Sequence, residues 1–222
     1  VDTSRPIFTG IYIDYSKNKL TITATDGFRL SEKIIKIQGD VDDFKVVIPA
    51  KTLVEVARIF SASQEPIEFT LNQNENLGLF KSEDTLIATR VIDGDYPDYK
   101  KIIPTEHIIK ADFDTIQFSE AVKLTDIFAK EGNNTIKIRF DPEGKMKITS
   151  LSEETGHHES NIPAEVEGDL IEIAFNSKYL LDFLNNVKSE RIYFSSNGNL
   201  SPCTFIPDSQ KDFVHVIMPM QI

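Results

Sequence analysis

Four histidines, His107, His157, His158 and His215, and one cysteine, Cys203, are the residues of this sequence best suited to metal binding or nucleophilic chemistry. The adjacent pair His157-His158 invites a metal ion. Neighbouring residues of a strand point to opposite faces, however, and no cysteine or His-Glu-x-x-His spacing accompanies the pair. It is therefore expected in an exposed loop. Cys203 follows Pro202 in a strand-like run with no histidine at motif spacing, which predicts a buried, inert thiol. No phosphate-binding glycine loop, dinucleotide G-x-G-x-x-G or nucleophile-elbow G-x-S-x-G occurs. Aspartate and glutamate number 35 together but are scattered, and sequence alone cannot pair them. The expectation is a protein without catalytic residues, metal or cofactor, working by binding.

The 222 residues leave room for two domains of ordinary size. A formal net charge of −11 argues against a protein that coats nucleic acid through an overall basic surface, though a local basic face remains compatible with it. No run of about 18 apolar residues would span a membrane, and no basic segment followed by an apolar one opens the chain. A lone cysteine makes no intramolecular disulfide and fits a reducing cytosol. The chain opens at Val1 and enters a strand-like stretch almost at once, as a fragment of a longer protein would.

The elements that must position any site are mostly strands. Ile11, Ile13 and Tyr15 alternate with polar neighbours, Ser16-Lys17-Asn18-Lys19 turns, and Leu20, Ile22 and Ala24 resume the alternation. Further runs are Lys33–Ile37, Lys45–Ile48, Ile67–Leu71, Leu77–Lys81 and Leu86–Val91, then Ile136–Phe140, Met146–Thr149, Arg191–Phe194, Cys203–Ile206 and Phe213–Met218. Three segments read as helices. Ala50–Phe60 carries Leu53, Ala57 and Phe60 at helical spacing. Phe118–Lys130 carries Ala121, Leu124 and Phe128 on one stripe with Ile127 at its edge, and Ser177–Val187 carries Leu180, Leu184 and Val187.

The two halves share this grammar. Lys178 follows Lys51 by 127 residues within similar strand-to-helix segments, and Ile136-x-Ile-x-Phe follows Ile11-x-Ile-x-Tyr by 125. Ile192-Tyr-Phe likewise follows Ile67-Glu-Phe by 125, the mark of a duplicated structural unit. The second unit opens with a strand and helix (Ile116–Lys130) that have no counterpart ahead of Arg5. A boundary near Pro104–His107 gives domains 1–105 and 106–222 in an α+β protein.

Three segments are distinctive: Ala24-Thr-Asp-Gly-Phe-Arg-Leu30, Asp93-Gly-Asp-Tyr-Pro-Asp-Tyr99 and the terminal Val216-Ile-Met-Pro-Met-Gln-Ile222. In this order and spacing the chain resembles the sliding clamp, the β subunit of bacterial DNA polymerase III. The resemblance covers the family's second domain without its first strand and helix, and the whole third domain. It implies a DNA-clamp fold of tandem duplicated domains, with antiparallel sheets outside and helices on the inner face. It also implies a cytoplasmic processivity factor, not an enzyme, whose three-domain chains close as a dimer around duplex DNA without reading its sequence. Partners would be the catalytic subunit of DNA polymerase III, the clamp loader and other proteins carrying a clamp-binding peptide.

That peptide, led by Gln and ending in Leu and Phe, would enter a groove between the two domains. By matching positions the family's second domain would contribute Phe8, Gly10, Thr25, Gly27, Phe28, Arg29, Leu30, Pro97 and Ile102. The third domain would contribute Asn176, Tyr179, Leu200, Val216 and Met218, with Pro219, Met220, Gln221 and Ile222 from the terminus. Leu30, Ile102, Val216 and Met218 would be apolar walls and Met220 an adaptable one, while Asn176 and Tyr179 could bond the polar lead residue. Phe28 stands where many members have His, Gln221 where a basic residue is usual, and Pro202 at a position often small and polar. Lys51, Arg58, Lys123, Lys130 and Lys178 would face DNA from the helices, with Glu55, Asp126 and Asp182 nearby to keep the attraction weak. Ile127 and Phe128 would meet a neighbouring protomer's first domain; without that domain the chain is expected to be monomeric, with Phe128 an exposed sticky patch. Apart from the resemblance, the residues also fit a strand-rich scaffold or adaptor unrelated to DNA, or a hydrolase whose carboxylates converge in the fold.

Overall fold

The computed structural model describes residues 5–37, 42–130, 133–152 and 156–221. They divide into two units, the first running to Gly27 and from Glu32 to Asp98, the second comprising Phe28–Ser31 and the chain from Tyr99 onward.

In the first unit, β1 (Gly10–Ser16), β2 (Lys19–Thr25) and β4 (Phe44–Pro49) pair antiparallel around a central β1. The β1–β2 hairpin turns on Lys17 and Asn18 alone, with φ of 51° and 62°, the left-handed pair that a two-residue turn between twisted strands demands. β3 (Arg29–Lys36) follows, its first residues grouped with the second unit. β5 (Glu68–Asn72), β6 (Leu77–Ser82) and β7 (Thr85–Arg90) form a separate three-stranded sheet in that order. Ile13, Val46, Ile48, Val56, Phe60 and Phe80 make the core. Gly10 allows β1 to lie close to its neighbours: a Cβ there would stand 2.5 Å from Val47 Cγ1 and 2.8 Å from Ile92 Cδ1.

The helix α1 (Ala50–Ile59) forms where the sequence predicts it, but on a different stripe. Val56 and Phe60 are buried and Leu53 packs against them, whereas Ala57 is exposed. The spacing Leu53–Val56–Phe60 serves a helical face as well as Leu53–Ala57–Phe60 does, and the larger side chain at 56 gains more from burial.

The second unit contains β8 (Ile109–Asp114), α2 (Thr115–Ala129), β9 (Thr135–Asp141), β10 (Lys145–Ser152), β11 (Gly156–Glu167), β12 (Ile171–Asn176), α3 (Ser177–Leu184), β13 (Arg191–Ser196), β14 (Cys203–Pro207) and β15 (Phe213–Ile217). The strands run in the order β12-β9-β10-β11-β8-β13-β14-β15. β8 is bonded on both sides, with Phe113 opposite Ala164 on β11 and opposite Ile192 on β13. Its core is rich in aromatics: Phe113, Phe118, Phe140, Phe175, Phe194 and Phe205 are all at most 1% exposed. Such rings bury large areas and pack edge-to-face or offset, as Phe194 does against Phe140 at 4.3 Å and Phe205 at 5.2 Å.

Several sequence expectations are corrected here. α2 begins at Thr115, not Phe118, because Asp114 caps it by accepting from the Gln117 N–H at 2.8 Å. Its buried face is Phe118, Ala121, Val122, Thr125 and Ala129, while Leu124 and Ile127 are exposed. α3 ends at Leu184, so Val187 packs on the core from beyond the helix, and Phe183 joins the buried face instead. His157 and His158 lie in β11, opposite Leu151 and Ser150, not in a loop.

The duplication is visible in the pairing. Ile11 opposes Ile48 in the first unit, and Ile136 opposes Phe175 in the second. β4 and β12 share one order of burial along their six residues, with three buried positions in the middle of each.

Candidate functional site

Within the second unit, Phe28, Arg29 and Leu30 run beside the end of β15, where the Met218 N–H donates to the Phe28 carbonyl at 2.8 Å. This holds the segment against α3. The Arg29 guanidinium lies 4.7 Å from the centre of the Tyr179 ring and bonds Asp182 at 2.6 Å, so one cation is shared between a π face and a carboxylate. The Phe28 ring, 58% exposed, stacks on the same tyrosine at 6.3 Å. Leu30 and Val216, read as groove walls, are closed to solvent at 2% and 1% exposed. Asn176 caps α3, its side-chain oxygen accepting from the Lys178 N–H at 3.0 Å. The terminal run is pinned by the Met220 N–H, which donates to the Ala174 carbonyl at 2.8 Å, and by the Thr135 hydroxyl at 3.6 Å from the Met220 sulfur. Met218 and Pro219 are half-buried, Gln221 is exposed, Ile102 lies at the surface, and Ile222 falls outside the described residues.

Beside Met220 a hollow of about 650 Å³ is lined by Leu170, Ile171, Glu172, Ala174, Asn199, Leu200, Met220 and Gln221. Leu200, Met220 and Gln221 were expected at a binding surface from the sequence; the five others were not.

The remaining groove candidates belong to the first unit. Phe8 carries the Arg5 guanidinium 4.6 Å over its ring and meets Tyr96 edge-on at 6.5 Å. Gly10 is buried between strands, as described above. The Thr25 hydroxyl accepts from the Gly27 N–H at 3.1 Å, which with Gly27 at φ 91° makes the Thr25–Gly27 turn a local hydrogen-bonded one. Pro97 is exposed. Tyr96, from the distinctive Asp93–Tyr99 segment, stacks on Tyr12 at 4.7 Å, and beside them a second hollow of about 440 Å³ includes Lys45, Asn76, Asp93 and Asp95.

Lys51, Lys123, Lys130 and Lys178 are exposed on or at the ends of their helices. Arg58 is exposed too, but its Nε and an Nη both bond Glu55, at 2.9 and 2.7 Å. The acidic neighbours are likewise engaged: Asp126 accepts from Ser177, joining α2 to α3, and Asp182 holds Arg29. The three carboxylates expected to weaken a phosphate attraction therefore each have an internal partner. Ile127 is 60% exposed, whereas Phe128, expected to be an exposed patch, is half-buried because the His158 ring of β11 stacks on it at 5.1 Å.

The residues capable of chemistry stay dispersed. Cys203 is fully buried, and burial pushes its thiol up to about 12, so it remains protonated and unreactive. His215 is buried against Phe183 and within 2.8 Å of the Ser31 hydroxyl; burial, with Lys110 nearby, pushes His107 below its ordinary range. Among the described residues no group of three or more His, Cys, Asp or Glu could hold a metal ion, and no helix is long and apolar enough to cross a membrane.

Two family models match this chain, the central domain of the DNA polymerase III beta subunit over residues 1–98 and its C-terminal domain over residues 100–221. The chain belongs to the DNA polymerase III beta subunit family. It is 31% identical to the beta sliding clamp of Bacillus subtilis over 221 residues and 32% identical to that of Streptococcus pneumoniae over 222. Each alignment covers 98% of this chain and 58% of the relative, so the chain spans little more than half the length of these clamps. The crystal structure of the Streptococcus pneumoniae beta chain superposes with a TM-score of 0.94 at 31% identity, covering all of this chain and 59% of that one. The Bacillus subtilis sliding clamp gives the same TM-score, identity and coverage, and the Thermotoga maritima beta subunit gives 0.93 at 25% identity. The fold is that of the sliding clamps: mostly antiparallel sheet, few helices, one unit repeated.

For a beta-subunit chain, what sequence reasoning missed is the company its candidates keep. Asp182 sits 153 residues from Arg29, and no local pattern links them. Leu170, Ile171 and Glu172 match none of the three distinctive segments, and Ile171 and Glu172 open β12.

Proposed function

We propose that this chain is part of a non-catalytic, cytoplasmic sliding clamp that encircles duplex DNA as a dimeric ring and tethers DNA polymerase and other replication or repair proteins. Residues 1–105 and 106–222 would be its second and third domains, the second without its opening strand and helix, with the helices lining the hole. Lys51, Lys123, Lys130 and Lys178 would then face the phosphates, with Arg58 damped by Glu55. Ile127 and Phe128 would belong to the ring-closing edge. A topological tether raises the effective concentration of a polymerase at its template without demanding tight DNA contact.

Partners would bind by a short Gln-led peptide laid on the surface of Phe28, Arg29, Tyr179 and Met218–Gln221. The observation that carries this is the Arg29 junction. A guanidinium fixed by Tyr179 and Asp182, with an exposed Phe28 stacked on the same tyrosine and a pinned methionine-rich terminus in the same unit, offers apolar, aromatic and polar contacts. Calorimetric titration of such a peptide against the chain and against a variant lacking Met218–Ile222 tests it. Binding lost with the deletion is expected; equal binding by both, or none by either, overturns the assignment. Gel filtration with circular DNA should show no stable retention of this chain by itself, and retention would contradict the need for further ring-closing domains.

A further inference from the structure

We infer that the hollow beside Met220 is an extension of the peptide-binding surface that selects a basic residue flanking the core of the partner segment. The aliphatic stem of that residue would lie against Leu170 and Leu200, and its cationic head would reach Glu172. The inference rests on the peptide-binding reading above and deepens it.

Three observations lead there. Leu170 and Leu200, 49% and 57% exposed, line one concavity of about 650 Å³. Two large apolar side chains left in water around a hollow within the range of ligand pockets mark a binding surface more than a folding one. Among the described residues Glu172 is the only charged one lining that hollow, and Asp169 precedes Leu170 in the chain. The Lys137 amine stands 3.8 Å from the Glu172 carboxylate, and Arg139 lies opposite Glu172 on β9. Both side chains of the Lys137–Glu172 pair are well exposed, so it is weak and easily exchanged for a better one. Lysine and arginine are the side chains that combine an apolar stem with a cationic tip, and on a chain of net charge −11 they approach with favourable long-range attraction. Continuity supplies the last link. Met220 and Gln221 belong to both the proposed peptide surface and the hollow, and the Met220 N–H bond to Ala174 fixes the wall between them.

The test uses the Gln-led peptide alone and the same peptide carrying Lys, norleucine or Glu at each flanking position in turn, titrated calorimetrically. At one flanking position the whole chain should bind the Lys peptide roughly threefold or more tightly than the Glu peptide, with norleucine between. Glu172→Gln should lower the Lys peptide to the norleucine level, and Glu172→Lys should reverse the order so that Glu binds best. Leu170→Ser should weaken the Lys and norleucine peptides alike while the unextended peptide binds as before. Equal affinities for Lys, norleucine and Glu at every position, or a Lys preference untouched by Glu172→Lys, would overturn the extension while leaving the core peptide site standing. Failure of the unextended peptide to bind would instead remove the peptide site itself, and the extension with it.

Discussion

Among the described residues, the second unit holds a strand, β8, with no counterpart in the first. It is bonded to β11 on one side and β13 on the other, and with α2 it delivers Ile109, Phe113, Phe118, Val122 and Ala129 into the core. In the first unit β3 and β5 occupy the places of β11 and β13 in the repeat, and among the described residues no strand joins them as β8 joins β11 to β13. Its strands therefore fall into two sheets, and its core is the smaller set around Ile48, Val56 and Phe80. Among the described residues, β8 and α2 thus join the strands of the second unit in one sheet, where those of the first fall into two. Burial scales with the elements available to share it, so with the larger core among the described residues the second unit should be the more stable in this chain.

The largest expected effect is on the second unit alone. Phe118→Ala, at a fully buried ring 4.7 Å from Phe113, should cost about 3–5 kcal/mol in urea unfolding. Native Cys203, inaccessible to a thiol reagent, reports that unit's opening without reporting the first. A matching loss in the first unit's transition would show that the two unfold as one. Gly10→Ala should act in the opposite place, destabilising the first unit by about 1–3 kcal/mol through the clash with Val47 and Ile92. Should thiol exposure shift with it, the comparison fails. Hydrogen exchange gives a gentler test. Amides of β5, bonded among the described residues only to β6, should exchange roughly tenfold or more faster than those of β13, which is bonded to β8 and β14.

The smallest effect is alkaline. Burial, reinforced for Tyr12 by Asp14, pushes the Tyr12 and Tyr96 hydroxyls up to about 12 from an ordinary 10. Both folded and unfolded forms are protonated below pH 10, so the contribution is whole there. Between 10 and 12 the unfolded chain loses its protons first, and the first unit's stability falls as pH rises. Tyr96→Phe should flatten that fall in melting curves. Cys203, pushed up from about 9, gives the second unit a separate alkaline loss.

Much of this architecture was legible because alternation is a local signal. Ile11, Ile13 and Tyr15 announce β1, and the same pattern 125 residues later announces β9. β11 was not legible. Its first half, Gly-His-His-Glu-Ser-Asn, is polar on both faces, and only pairing with β10 makes it a strand. The α2 stripe was misread because Leu124 and Ile127 are as apolar as its true core face, which only β10 and β11 packing beneath the helix can select. At the candidate site the segment Phe28–Leu30 was found through its distinctive neighbours. The partners that give it shape, Tyr179 and Asp182, are joined to it by folding alone.

The turn at Lys17-Asn18 has a use beyond closing a hairpin. Its counterpart is one residue longer, since Ser16 faces Lys19 across the first turn and Asp141 faces Lys145 across the second. Yet Tyr12 opposes Thr23 and Lys137 opposes Thr149, so the extra residue is absorbed without moving any pair on the strands. Length has drifted between the copies while register has not. Anyone splicing tags, labels or foreign loops into such a repeat has two ready-made insertion points, already marked by the chain's own divergence.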